Sequence, residues 1–185
     1  TLDRSSAASD VYKRQILNMD ASVAWEKETT VDSREDTTEK CIKLEFPETL
    51  SEVYFIKLWL LEDGKILSDN FYHASRKGIN YQALKQLPEV TLDCQAKMAQ
   101  DKEGNWTATV TLTNPTSTPA LMTRINVVGD KDGDQFLPIL YEDNYFALLP
   151  GEQKEVSVRW KDVDTRGNSP VIRITGYNVK ELSRQ

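Results

Sequence analysis

From residue 22 onward the apolar side chains recur at every second position more than at every third or fourth, the signature of half-buried strands. Ile42, Leu44 and Phe46 alternate with Lys43 and Glu45 until Pro47 ends the run. Residues 53–61 put Tyr54, Ile56, Leu58 and Leu60 on one face and Val53, Phe55, Lys57 and Trp59 on the other. Asp63-Gly64 follows at once, a strong two-residue hairpin signal, so residues 65–72 read as the returning strand. Residues 81–87 read as one helical turn or a short linker, closed by Pro88.

Beyond Pro88 the alternation is cleaner. Val90, Leu92, Cys94, Ala96 and Met98 share one face of a strand, and Trp106, Ala108, Val110 and Leu112 share one face of the next. Thr107, Thr109, Thr111 and Thr113 fill the opposite face of that second strand, and a turn at 101–104 joins the two. Further strands are expected at 121–128, at 135–141, around 144–148, at 156–160 with Val156, Val158 and Trp160 inward, and at 171–175. About seven short strands in roughly 100 residues, separated by turn signals, is the count expected of an immunoglobulin-like sandwich.

The sequence therefore predicts an all-β chain of two tandem immunoglobulin-like β-sandwiches. Residues 88–185 read as a complete sandwich, whereas 16–87 hold about five strand candidates and read as a partial one, truncated at its N-terminal side. Missing strands would leave open sheet edges and uncovered apolar surface. Residues 1–15 differ from the rest: the chain opens on Thr1, and Asp10-Val11-Tyr12-Lys13-Arg14-Gln15 resembles the translation of a transposon end used to prepare sequencing libraries. This segment is expected to be non-native or disordered and to lie outside the fold.

Composition narrows the function classes. The net charge of −6 and the absence of a basic stripe disfavour nucleic acid as a partner. The most apolar stretch is far shorter than the ~18 residues of a membrane-spanning helix. Two cysteines, Cys41 and Cys94, leave the redox compartment open, and the single histidine, His73, leaves no Cys/His set for zinc.

Catalytic chemistry finds few candidates. His73 would have to serve any Ser-His-Asp or Cys-His arrangement, no G-x-S-x-G pattern supports it, and a structural or surface histidine is the simpler reading. Asp130-Lys131-Asp132-Gly133-Asp134 has the oxygen density of a calcium loop without the spacing of one, and Asp and Gly are what tight turns prefer. Glu142 and Asp143 are adjacent, so on a strand they point to opposite faces and cannot act as a pair. Asn105-Trp106-Thr107 is the only glycosylation sequon. Trp106 and Trp160 share their faces with valines and a leucine, which makes them core rather than sugar platforms. Phe55 and Trp59 share a face with Lys57, which suggests partial exposure and makes them candidate interdomain contacts. No catalytic, cofactor-binding or metal-binding residue is assigned.

Two stretches resemble the C-terminal region of family 2 glycoside hydrolases, in the exo-β-D-glucosaminidase and β-mannosidase branch. The first runs from Val53-Tyr54-Phe55-Ile56-Lys57-Leu58-Trp59-Leu60 through Asp63-Gly64-Lys65, Ser68 and Asn70-Phe71-Tyr72 to Tyr81, Leu84 and Leu87-Pro88. The second is more specific: Asn114-Pro115-Thr116-Ser117, Leu137-Pro138-Ile139, Asp143-Asn144-Tyr145-Phe146, Leu148-Leu149-Pro150-Gly151-Glu152 and Gly176-Tyr177-Asn178-Val179. The family usually has Trp where this chain has His73 and Tyr177. The resemblance implies the end of one immunoglobulin-like domain followed by the complete terminal one. It also implies partners in the same polypeptide, namely a catalytic (β/α)8 barrel and upstream domains, with a carbohydrate substrate reached only through that parent and a periplasmic or extracellular location. A retaining glycosidase needs two carboxylates about 5 Å apart at the ends of barrel strands, and no alternating strand and helix pattern exists here to hold them. The chain by itself is thus expected to be non-catalytic and without cofactor. Two other readings remain open at this stage, an independent carbohydrate-binding module and an adhesin-like pair of cell-surface sandwiches.

Overall fold

The computed structural model describes residues 10–31, 40 and 43–185. Among them every regular element is a β-strand, apart from two 3-10 turns at Gln82–Gln86 and Asp162–Thr165. The chain divides into two compact units, Thr1–Gln86 and Leu87–Gln185.

In the first unit four antiparallel strands, β1 (Asp10–Asn18), β2 (Val23–Val31), β3 (Val53–Glu62) and β4 (Lys65–Ser75), form one sheet in the order β2-β1-β3-β4. The β3–β4 hairpin turns on Asp63 and Gly64 at φ 49° and 75°, the pair of left-handed residues that matches the twist of the flanking strands. Among the described residues of this unit the buried apolar ones are Ile16, Leu17, Leu50, Val53 and Phe55. Strand β1 begins at Asp10, inside the segment expected to lie outside the fold, and runs in register with β2 from Asp10↔Val31 and with β3 from Val11↔Leu61. The alternation at Ile42, Leu44 and Phe46 gives no strand in the described part: residues 43–47 have no ladder partner among the described residues, and Phe46 meets the Tyr54 ring edge-on at 5.7 Å instead. Ile42 and Cys41 lie outside the described residues.

The second unit is a two-sheet sandwich. Strands β5 (Asp93–Gln100), β6 (Asn105–Thr113), β7 (Ala120–Gly129), β8 (Leu140–Tyr141), β9 (Phe146–Leu148), β10 (Gln153–Lys161), β11 (Pro170–Thr175) and β12 (Leu182–Arg184) build sheets in the orders β5-β6-β10-β8 and β12-β11-β7-β9. The inner faces carry the expected alternation: Ala108, Val110 and Leu112 from β6, Val156, Val158 and Trp160 from β10, and Ile125, Val127, Ile172 and Ile174 from the facing sheet form one buried cluster. The strand expected at 135–141 shrinks to Leu140–Tyr141 with a lone bridge from Gln135 to Val128, because Pro138 offers no N–H to a ladder. Phe136 nevertheless reaches the core. Strand β12 escapes sequence reading, being three residues long with two exposed polar positions.

Candidate functional site

The motifs most specific in the sequence converge on one device, a polar side chain that satisfies the backbone of a distant segment. Asn114, fully buried at the end of β6, donates through Nδ2 to the carbonyls of Thr118 and Leu148 at 2.8 and 2.9 Å. Its Oδ1 accepts from the Thr116 amide and hydroxyl at 3.1 and 2.8 Å. All four hydrogen-bonding positions of the amide are filled. Asn144 binds both backbone groups of Ile125, accepting its N–H at 2.8 Å and donating to its carbonyl at 2.9 Å, as a neighbouring strand would. Glu152 accepts the Leu149 N–H at 2.8 Å across the Pro150-Gly151 turn.

Asn178 is the longest-range clamp. Its Oδ1 accepts from the Leu121 N–H at 2.9 Å, and its Nδ2 donates to the carbonyls of Pro88 and Pro119 at 3.1 and 3.0 Å. Its own carbonyl accepts the Val90 N–H at 2.7 Å, so the entry and exit of the sandwich are tied at one point. Gly176, two residues earlier, is required by close approach: a Cβ there would stand 2.9 Å from the Leu121 carbonyl oxygen and 2.6 Å from Val179 Cγ2. These clamps were not foreseen as such. Only Asn114, which precedes Pro115, carries a local signal, an amide that can stand in for a missing ladder partner; Asn144 and Asn178 have neither Pro nor Gly beside them.

The candidates for chemistry separate in space and find structural partners. His73 is exposed on β4, opposite Phe55, and meets the Tyr81 ring edge-on at 5.1 Å. The Asp-rich stretch at 130–134 is a turn, in which Asp132 accepts the Asp134 N–H and Asp130 accepts that of Ser169, each at 2.9 Å. Glu142 accepts the Ser157 N–H at 3.1 Å while Asp143 pairs with Lys154 at 2.6 Å. Among the described residues no group of three or more His, Cys, Asp and Glu side chains is close enough to hold a metal ion. Nor is any helix among them long and apolar enough to cross a membrane.

The partial exposure expected of the Phe55 face holds only for Trp59. Phe55 is 0% and Lys57 4% exposed, while Trp59 is half-buried. Phe55 packs on Phe71 with centroids 5.2 Å apart, and the ammonium of Lys57 sits 5.3 Å from the Trp59 ring and 3.4 Å from Asp69. Lys13 lies 6.0 Å from the same ring and pairs with Glu26 and Glu28 at 3.3 and 3.5 Å. A lysine on a strand face thus need not mark solvent when carboxylates on neighbouring strands neutralise it.

Trp106 and Trp160 occupy inward positions of β6 and β10 as expected, stacked with centroids 5.8 Å apart and planes 3° from parallel. Trp160 is buried; Trp106 is only half-buried, and its Nε1 donates to Asp162 at 2.9 Å.

Cys94 has a free thiol buried on β5, and burial pushes its pKa up, partly opposed by the charge of Arg184. Below the ordinary thiol value of ~8.5 this has no effect on stability. Above it the unfolded chain ionises while the folded thiol keeps its proton, so stability falls as pH rises toward the folded pKa. Urea midpoints are therefore expected to decline as pH rises above about 8.5, and Cys94→Ala to flatten that decline. Tyr141, also raised by burial, adds its own loss only above its ordinary value near 10. An unchanged slope in Cys94→Ala would contradict the assignment.

A family model described as the exo-β-D-glucosaminidase Ig-fold domain matches residues 70–179. The exo-β-D-glucosaminidase of Streptomyces avermitilis is 29% identical over 204 aligned residues, covering 97% of this chain and 22% of that protein. The crystal structure of the exo-chitosanase of Amycolatopsis orientalis superposes with a TM-score of 0.85 at 22% identity, over 95% of this chain and 23% of that one. More distantly, the β-D-mannosidase of Dictyoglomus thermophilum superposes with a TM-score of 0.52 at 13% identity, over 94% of this chain and 19% of that one. The chain spans about a fifth of the length of the curated relative.

Proposed function

Because this chain belongs to the exo-β-D-glucosaminidase Ig-fold family, we propose that it is the non-catalytic β-sandwich region of a family 2 glycoside hydrolase that removes β-linked glucosamine units, and that it supports the catalytic barrel of that enzyme. The observation that carries this reading is the use to which the motif side chains are put. Asn114, Asn144, Glu152 and Asn178 direct their polar atoms at their own backbone, which makes them residues of architecture rather than of bond cleavage. In this reading the partner is a barrel in the same polypeptide, and residues 16–87 form a partial sandwich ahead of the terminal one. Trp59, half-buried beside Lys13 and Lys57, is the contact offered to a neighbouring domain, while Phe55, fully buried against Phe71, packs within its own unit.

The test is hydrolysis of p-nitrophenyl β-D-glucosaminide. The 185-residue chain is expected to give no turnover. The complete product of its gene is expected to turn the substrate over, and to unfold at lower temperature when the region 88–185 is deleted. Turnover by the chain alone, in a preparation free of other glycosidases, would overturn the proposal.

A further inference from the structure

Three large side chains stand in solvent at one end of the sheet β12-β11-β7-β9: Met122, Tyr145 and Tyr177 are 49%, 54% and 52% exposed. Tyr145 directly precedes β9, and Met122 lies in the irregularity between Ala120 and Thr123 where β7 meets β9. The Tyr177 N–H donates at 2.9 Å to the carbonyl of Leu121, the residue before Met122. Arg124 completes the surface, its guanidinium 5.5 Å from the Tyr145 ring. It pairs in register with Thr175 and alternates with the core residue Ile125, so it points away from the sandwich interior. We propose that this surface docks against the catalytic barrel of the same polypeptide, where a carboxylate set among apolar side chains receives Arg124.

Two of these positions are held at a conformational cost. Met122 and Tyr145 have φ of 53° and 61°, the left-handed region that ordinary side chains avoid and glycine enters freely. A backbone that only had to turn would do so more cheaply with glycine, yet both positions carry a large side chain into solvent. Bulges re-aim side chains, and the grip of Asn144 on Ile125 fixes the backbone from which Tyr145 projects. Strain kept at two neighbouring positions is explained by a use for the side chains it presents.

The residue types fit a protein partner. Tyr, Met and Arg are enriched in interface cores, and Tyr and Arg are among the strongest contributors to binding there. Arg124 donates to the neutral amide oxygen of Gln135 at 3.3 Å, and among the described residues no carboxylate pairs with it. A cation resting on an aromatic ring has a charge-assisted bond still to gain when a partner covers it. Four side chains cover on the order of a few hundred Å², short of the ~800 Å² that each partner of a stable free complex buries, which disfavours a second copy. A partner tethered in the same chain acts at an effective concentration of about 1 mM and needs no more. The chain spans 22% of the length of the Streptomyces avermitilis relative, so a protein of that size has most of its length to offer as partner. Naming the barrel rests on the function proposed above; the surface itself does not.

Hydroxyl-radical footprinting of the 185-residue chain and of the complete product of its gene reads the exposure of these side chains directly. Oxidation of Met122, Tyr145 and Tyr177 is expected to be about fivefold slower in the complete product. Arg124→Glu should return it to the rate seen in the chain alone, because like charges then face each other. Since Arg124 also lies on the Tyr145 ring, Tyr177→Ala, at an exposed position, is the second variant and should speed oxidation of Met122 and Tyr145 in the complete product about twofold. Carbodiimide treatment of the Arg124→Lys variant identifies the partner, the new amide being expected to join position 124 to an Asp or Glu of the barrel. Equal oxidation in the two proteins, undiminished protection in Arg124→Glu, or a link to any other domain would overturn the proposal. So would slowing that appears in the 185-residue chain alone as its concentration rises, the mark of a second copy. A complete product that protects these residues but leaves p-nitrophenyl β-D-glucosaminide intact would instead overturn the parent activity and leave the surface standing.

Discussion

Expressed separately, residues 87–185 are expected to fold cooperatively, while residues 1–86 are expected to exchange their backbone amides within the dead time or to aggregate. The contrast follows from what each unit can bury. The terminal unit closes two sheets over a cluster of seventeen buried residues, whereas the described part of the first unit has one sheet and five buried apolar residues. Each such side chain contributes about 1.5–3 kcal/mol on burial, and conformational entropy removes a comparable amount per ordered residue, so a small core leaves no surplus. A single sheet also leaves apolar side chains on both of its surfaces: Ile56, Leu58 and Leu60 on one, Val53, Phe55 and Phe71 on the other. Native-state hydrogen exchange on the two pieces decides the matter. Slow amides throughout an isolated, monomeric 1–86 piece would show that its charged strand faces stabilise it more than this accounting allows.

The second large effect is expected at Asn178. Asn178→Ala strands the Leu121 N–H and the carbonyls of Pro88 and Pro119, and a buried group left without its partner costs about 1–3 kcal/mol. The total is about 3–4 kcal/mol, at the high end for single substitutions. For a unit of this size each kcal/mol moves the melting temperature by about 4–8 °C, so a fall of about 15 °C or more is expected by calorimetry. Tyr177→Ala, the exposed neighbour, is the control and should stay within about 0.5 kcal/mol of the parent sequence. A loss below about 1 kcal/mol in Asn178→Ala would mean that water or a shifted backbone takes over the three bonds.

How far the sequence foretold these features depends on which physical signal each element leaves. Strands β6 and β10 were legible because one face of each is core, so Ala108, Val110 and Leu112, or Val156 and Val158, appear at alternate positions. The β3–β4 turn was legible because only a few residue pairs tolerate two successive left-handed conformations. The first half of β1 left no such trace. Lys13, Arg14 and Gln15 are polar, and what places Lys13 and Gln15 is pairing with Glu26 and Glu28 on the neighbouring strand, which a one-dimensional pattern does not display. Arg14 goes further, buried with its guanidinium 5.3 Å from the Tyr12 ring. The half-exposure of Trp106 was hidden for a different reason. Phase assigns a residue to the inner face of a sheet but says nothing about how near that residue stands to the end of the sandwich, and Trp106 is the second residue of β6, beside the turn at 101–104 and bonded to Asp162 of the 3-10 turn.

The Asn178 tie also sets an order of events during synthesis. It joins Pro88 to a residue ninety positions later in the chain, and the Val90–Val179 bridge closes at the same place. Until Asn178 and Val179 clear the exit tunnel, the sheets have their hydrophobic faces but not the fastening of the entering segment to the segment after β11, so the nascent chain must be kept from association up to that point.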